Sequence, residues 1–146
     1  MEIERKFIPK TIPKNLESYP HHKIAQGYLS TNPVVRIRRQ DEEYILTYKG
    51  KGAMVREEYN LPLTKESYEH LKAKADGRII TKKRYMIPLN QYTIELDVFE
   101  GELAPLILAE VEFSTEEDAN AFVAPEWFGE DVTFSTKYHN STLSKA

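Results

Sequence analysis

MEIERKF, residues 1–7, is the stretch on which the fold turns. In an extended chain, side chains two positions apart share a face. Read so, Glu2, Glu4 and Lys6 stand together, and Ile3, Arg5 and Phe7 stand opposite. One face is all charge and the other mostly apolar. A strand with one wet face and one core face is ordinary in antiparallel sheets, and for this strand alone that account suffices. What matters is whether the charge recurs.

It recurs on six further segments. VVRIRRQ (34–40) places Arg36 and Arg38 opposite Val35 and Ile37. EYILTYKGK (43–51) aligns Thr47, Lys49 and Lys51, and MVREEYNLPL (54–63) aligns Arg56 and Glu58. RIITKKRYMIPL (78–89) carries Lys82 and Arg84. YTIELDVFEG (92–101) sets Glu95 and Asp97 against Ile94, Leu96 and Val98, and LILAEVEFS (106–114) sets Glu110 and Glu112 against Val111 and Phe113. A solvated face usually mixes Thr, Ser, Gln and Lys. These faces are ionic pairs, rich in Arg and Glu, and several carry one sign only. Like charges two residues apart repel, so the arrangement has a cost unless something relieves it.

IAQGYLS (24–30) reads as one more strand, and prolines at 9, 13 and 20 mark a loop with at most a short helix over 14–18. Two helices are expected. TKESYEHLKAKAD (64–76) has Thr64 as cap, Tyr68, Leu71 and Ala75 on one stripe and Gly77 as its end. Ser114 with Glu117 has the spacing of a capping box for a helix over 115–123. PEWFGEDVT reads as turns and YHNSTLSKA as a short terminal helix. Eight strands and two main helices predict an α+β fold, a closed eight-stranded antiparallel barrel in one domain over 1–146.

The bulk numbers fit a globular chain. Hydrophobic residues make up 40% and charged residues 29%, and the net charge of −3 argues against nucleic-acid binding through bulk charge. There is no cysteine, which excludes disulfides and thiolate metal sites. Apolar runs are too short to span a bilayer and no signal peptide precedes the first strand, so the expectation is a cytoplasmic protein with no membrane partner.

If the charged faces line the lumen and the apolar faces point outward under helices, the barrel is inside out. Arg suits bidentate phosphate contacts and Lys acts as a point charge. Hard Mg²⁺ or Mn²⁺ takes carboxylate and water oxygens, with substrate phosphate completing the shell. Basic and acidic sets facing one tunnel would hold a metal–polyphosphate complex.

The ordered pattern resembles the triphosphate tunnel metalloenzyme superfamily, whose domain is called CYTH. Glu2, Glu4 and Lys6 match its E-x-E-x-K strand. QGYL (26–29), Arg36 with Arg38, Lys49 in LTYKG, REEY from Arg56, Lys82 with Arg84, IELDVFEGEL, LAEVEF and PEWFGEDVT…KYHNSTL match its later segments in order. One departure is Asn60, where the family often has Glu. The chain is shorter than the class IV adenylyl cyclases and mRNA-capping triphosphatases, and is similar to the small bacterial members that resemble inorganic triphosphatases.

The resemblance implies metal-dependent hydrolysis of a terminal phosphoanhydride, most simply of inorganic tripolyphosphate, by a metal-activated water. It implies Mg²⁺ or Mn²⁺ held by Glu2, Glu4, Glu110 and Glu112, with Asp97 and Glu95 in a second site or second shell. Lys6, Arg36, Arg38, Lys49, Arg56, Lys82, Arg84 and Lys137 fall to the triphosphate, and Glu58 to orienting water or a basic neighbour. Lys51 is placed beyond the mouth. The expected partner is a small-molecule triphosphate, with the chain a monomer or homodimer. Three alternatives stay open: an adenylyl cyclase, a nucleoside or thiamine triphosphatase, and a non-catalytic polyphosphate-binding module.

Other motifs read as structure. HHK (21–23) is assigned to a surface loop, His70 and His139 lack partners at ligand spacing, and KGKGAM lacks the GK[ST] of a P-loop. Trp127 and Phe128 are assigned to packing, and EGEL (100–103) to a solvated turn.

Overall fold

The computed structural model describes residues 1–145. Ten strands run β1 (Glu2–Pro9), β2 (His21–Thr31), β3 (Val34–Gln40), β4 (Glu43–Lys49), β5 (Val55–Arg56), β6 (Glu58–Pro62), β7 (Asp76–Leu89), β8 (Tyr92–Phe99), β9 (Ile107–Glu112) and β10 (Phe128–Asp131). Helices are α1 (Lys65–Lys72), α2 (Glu116–Ala121) and α3 (Asn140–Leu143). Among the described residues, no helix is long and apolar enough to cross a membrane.

The sheet order is β10-β1-β9-β8-β7-β2-β3-β4-β6, antiparallel throughout, and β5 pairs with β1. β5 and β6 are consecutive in the chain, separated by Glu57. β6 hydrogen-bonds to β4, while β5 crosses to β1 through Glu2↔Arg56 and Ile3↔Val55. That change of partner nearly closes the sheet into a barrel. The expected single strand over 54–63 is therefore two pieces, one for each side of the seam.

The barrel is inside out. Outward positions of β1, β7, β8 and β9 supply Phe7, Tyr85, Ile87, Ile94, Leu96, Ala109 and Val111 to one buried cluster. α2 covers it with Ala119, and Phe113, Phe122, Trp127 and Phe128 complete it. Arg5, the one charge on the apolar face of β1, has a specific task. Its guanidinium donates to the Ala119 and Phe122 carbonyls at 3.0 and 3.3 Å, satisfying the end of α2, and pairs with Asp131 at 2.8 Å. α1 packs on β3 and β4.

Inside, each strand grades from charge to hydrocarbon. Lumen-facing residues run Glu2, Glu4, Lys6, Ile8 on β1, and Glu112, Glu110, Leu108 on β9. They run Glu95, Asp97, Phe99 on β8, Arg84, Lys82, Ile80 on β7, and Arg38, Arg36, Val34 on β3. The apolar ends meet. Val34, Ile80, Phe99 and Leu108 pack with Tyr28, Val132 and Leu143, and Ile8 lies against them. The lumen is a cup with an apolar floor. Leu143 of α3 joins that floor, so α3 sits at the barrel end, whereas the expectation put the helices outside.

Several local expectations change. HHK belongs to β2, where His22 Nδ1 meets Asp41 at 2.7 Å, because backbone pairing with β7 extends the strand past its apolar alternation. α2 is capped by Thr115, which accepts from the Asp118 N–H, and not by Ser114 with Glu117. The segment read as turns contains β10, which pairs with β1. α1 ends at Lys72, and Gly77 sits within β7 at φ +67°, where a Cβ would meet the Ser144 carbonyl. The Thr64 cap stands as expected, in a box closed by Ser67.

The outer cluster carries the stability. Leu96 is 0% exposed beneath it. Leu96→Ala is expected to lower the unfolding free energy by about 2–5 kcal/mol in urea titration, and a loss below about 1 kcal/mol would show that this face is not the core.

Candidate active site

A cavity of about 250 Å³ occupies the charged part of the lumen. β1, β8 and β9 are neighbours, and cross-strand pairing puts Glu4 beside Glu112 and Glu110 beside Glu95. With Glu2 they form an acidic wall. Arg36 and Arg38 from β3, Lys49 from β4, Arg56 from β5, Lys6 from β1 and Arg84 from β7 supply the cations.

The two signs neutralise one another through specific contacts. Lys49 Nζ donates to Glu2 Oε1 at 2.9 Å and lies 3.7 Å from Glu58. Lys6 lies 3.9 Å from Glu110, and Arg84 Nη2 lies 3.8 Å from it. Arg38 places Nε and Nη2 on Gln26 Oε1 at 2.8 and 2.6 Å. Arg36 Nη2 donates to Thr47 Oγ1 at 3.3 Å, and Thr47 donates to Asn60 Oδ1 at 2.7 Å. Arg36 lines the cavity, and its Nε is buried without a hydrogen-bond partner. Asn60 thus completes a neutral relay from β3 to β6, where a glutamate would place another carboxylate beside Glu58.

Beneath the cavity sits a compact ion cluster. Asp97 and Lys82 are both 0% exposed and meet at 2.7 Å. Arg84 clasps Asp97 bidentately, Nε to Oδ1 at 2.7 Å and Nη2 to Oδ2 at 2.9 Å. Sequence reasoning assigns Asp97 to a metal. The structure commits both its oxygens to cations and keeps it off the cavity lining. Lys82 likewise lies under the cavity, with Nζ 3.4 Å from Asn140 Oδ1. Lys137 is exposed, its ammonium over the Tyr138 ring at 5.3 Å, and does not line the cavity; nor does Lys51. Glu2, Glu4, Glu58, Glu110, Glu112, Lys6, Arg36, Arg38, Lys49, Arg56 and Arg84 come together as expected from sequence. His139, Asn140 and Ser141 also line it, and pattern reading missed them because they lie outside any strand.

The carboxylates divide by environment. Burial, then the Glu110 and Glu2 charges, push Glu4 well above the usual carboxylate range. Burial, then Glu2, Glu95 and Glu58, raise Glu112. Burial also raises Glu2, while Glu58, hydrogen-bonded to it, is held low as that bond and Lys49 outweigh its own burial. For Glu110, burial is outweighed by Lys6, Arg84 and Lys82, which hold it well below. Side chains that resist ionisation because they are buried and face other carboxylates fit a divalent cation, which removes the repulsion part of that cost. Among the described residues, no three acidic or imidazole side chains converge as a ready metal cluster.

The CYTH domain family model matches residues 1–146. An inorganic triphosphatase of Nitrosomonas europaea is 42% identical, covering 98% of this chain and 96% of that protein. An inorganic triphosphatase of Acetivibrio thermocellus is 34% identical, covering 99% and 93%. The crystal structure of the inorganic triphosphatase NE1496 superimposes with a TM-score of 0.73 at 39% identity, covering 100% of this chain and 95% of that one.

Two substitutions distinguish charges that hold the barrel from charges aimed into it. Asp97→Ala removes the ion-pair partner of buried Lys82 and the bidentate partner of Arg84, and a stability loss of about 3–5 kcal/mol is expected in urea; less than about 1 kcal/mol would refute the cluster's role. Glu4→Gln acts in the opposite direction in metal-free protein. The folded-state pKa of Glu4 is raised above 4.5, so its contribution is present at low pH and lost as pH rises through the folded value. The melting temperature of Glu4→Gln relative to wild type is therefore expected to climb between about pH 4 and pH 8 in chelator; a pH-independent difference would contradict the shift.

Proposed function

Because the chain belongs to the CYTH domain family, we propose that it is a divalent-metal-dependent triphosphatase that hydrolyses the terminal phosphoanhydride of inorganic tripolyphosphate. The observation that carries this reading is the two-signed cavity: an acidic wall and a set of convergent cations above a closed apolar floor. The names of the two relatives support the substrate class.

On this reading Glu2, Glu4, Glu110 and Glu112 hold the metal. A bound Mg²⁺ or Mn²⁺ polarises phosphoryl oxygens and neutralises their charge. Arg36, Arg38, Lys6, Lys49, Arg56 and Arg84 receive the phosphate oxygens. Binding exchanges the partners of an existing ion pair. Glu2 turns from Lys49 to the cation and Lys49 from Glu2 to the phosphate, so neither charge becomes unpaired. Glu58, kept ionised beside Glu2 and Lys49, is placed to orient the attacking water. Lys82 and Asp97 act from below by holding Arg84. Phosphoryl transfer asks mainly for positioning and charge stabilisation, so no side-chain nucleophile is required.

The test is direct. Purified protein is incubated with tripolyphosphate, ATP or thiamine triphosphate and Mg²⁺ or Mn²⁺, and phosphate, pyrophosphate and cyclic AMP are measured. Phosphate and pyrophosphate from tripolyphosphate are expected, abolished by chelator and reduced more than about tenfold in Glu4→Gln. Undiminished turnover in chelator would refute the metal role. Cyclic AMP from ATP would replace this reading with a cyclase, and binding without turnover with a polyphosphate-binding module.

A further inference from the structure

The chain from Tyr138 to Asn140 is held on both sides of His139. Lys6 Nζ donates to the Tyr138 carbonyl at 3.2 Å, and Lys82 Nζ to Asn140 Oδ1 at 3.4 Å. Further along, the Arg78 N–H donates to the Ser144 carbonyl at 2.7 Å and Leu143 is buried in the floor, so the segment is anchored. His139 is half-buried and lines the cavity shared by Lys6, Lys49 and Arg56. It occupies the N-cap position of α3, yet its side chain makes no capping hydrogen bond. A helix cap therefore does not account for the imidazole.

We infer that His139 is a further substrate-contacting residue, whose imidazole hydrogen-bonds a phosphate oxygen of the bound triphosphate among Lys6, Lys49 and Arg56. This rests on the triphosphatase reading above. Burial first, then Lys6 on β1, Arg56 on β5 and Lys49 on β4, hold the ring below its ordinary value of 6.5, with Glu110 on β9 opposing them. The ring is thus neutral at neutral pH before substrate binds. A triphosphate seated among those cations reverses the local field, and the ring takes up a proton and donates to the phosphate oxygen. A proton gained on binding makes the His139 contribution to affinity grow as pH falls from the bound-state pKa toward the free-state one.

Tripolyphosphate is titrated calorimetrically into wild-type and His139→Gln protein in chelator, and turned over with Mg²⁺ in parallel, between about pH 6 and pH 8. The variant is expected to raise Kd and KM with a smaller change in kcat. The Kd ratio of variant to wild type is expected to widen as pH falls, by up to about tenfold per pH unit. In wild-type protein, whose folding is not in question, the ¹³C resonance of His139 is expected to move toward its protonated position on adding tripolyphosphate. A Kd ratio independent of pH, or an unmoved resonance in protein that binds tripolyphosphate, would overturn the assignment and leave the triphosphatase reading standing. Wild-type protein that neither binds nor hydrolyses tripolyphosphate would overturn both.

Discussion

Asp97 held between Lys82 and Arg84 is the interaction on which the rest of the barrel depends. Asp97, Lys82 and Arg84 lie on two adjacent strands with almost no contact with water, and burial lowers the pKa of the Lys82 ammonium to about 7 against the pull of Asp97. Such clusters add little net stability, because desolvation offsets much of their attraction, but removing one partner strands the others. Here the cluster marks a boundary. Below it the lumen is hydrocarbon, closed by Phe99, Leu108, Ile80 and Leu143. Above it the lumen is lined by ionic groups with room between them. Arg84 spans that boundary, reaching from Asp97 toward Glu95 and Glu110 at 3.5 and 3.8 Å.

A lumen filled with charge forces the hydrophobic core elsewhere. The strands turn Ile94, Leu96, Ala109 and Val111 outward, and the aromatic set of Phe7, Phe113, Phe122 and Phe128 seals them. Short helices and a four-residue strand suffice as cover because the sheet supplies most of the apolar surface. Arg5 binds this cover to β1 through the end of α2 and Asp131. One strand thus carries acidic and basic cavity-lining residues on one face and the cover-fixing Arg5 on the other, as its sequence spells out.

Much of this was legible because a charge at every second position is a strong signal. The bounds of β3 agree with the segment VVRIRRQ, and the inside-out barrel follows from seven such strands. The grading from Glu112 and Glu110 to Leu108, or from Arg84 and Lys82 to Ile80, is also written in the sequence. Its meaning as a floor appears only once register aligns the strands. Depth decided the fate of Asp97: its spacing from Glu95 equals that of other acidic pairs, and only pairing across to Arg84 removes it from the cavity wall. β10 has four residues, too few to show a period, and the exchange of partners at Glu57 is a property of closure. His139 reaches the wall through a segment without periodicity, so nothing in its spacing announced it.

On the proposed reading, opposite walls of one cup hold the two halves of a metal–polyphosphate complex. Anomalous diffraction from crystals grown with Mn²⁺ and pyrophosphate tests it most directly. The expected result is a Mn²⁺ peak bonded to carboxylate oxygens of Glu4, Glu110 or Glu112, with phosphate seated against Arg36 and Arg38. A Mn²⁺ peak away from the acidic wall, or phosphate bound outside the lumen, would contradict it.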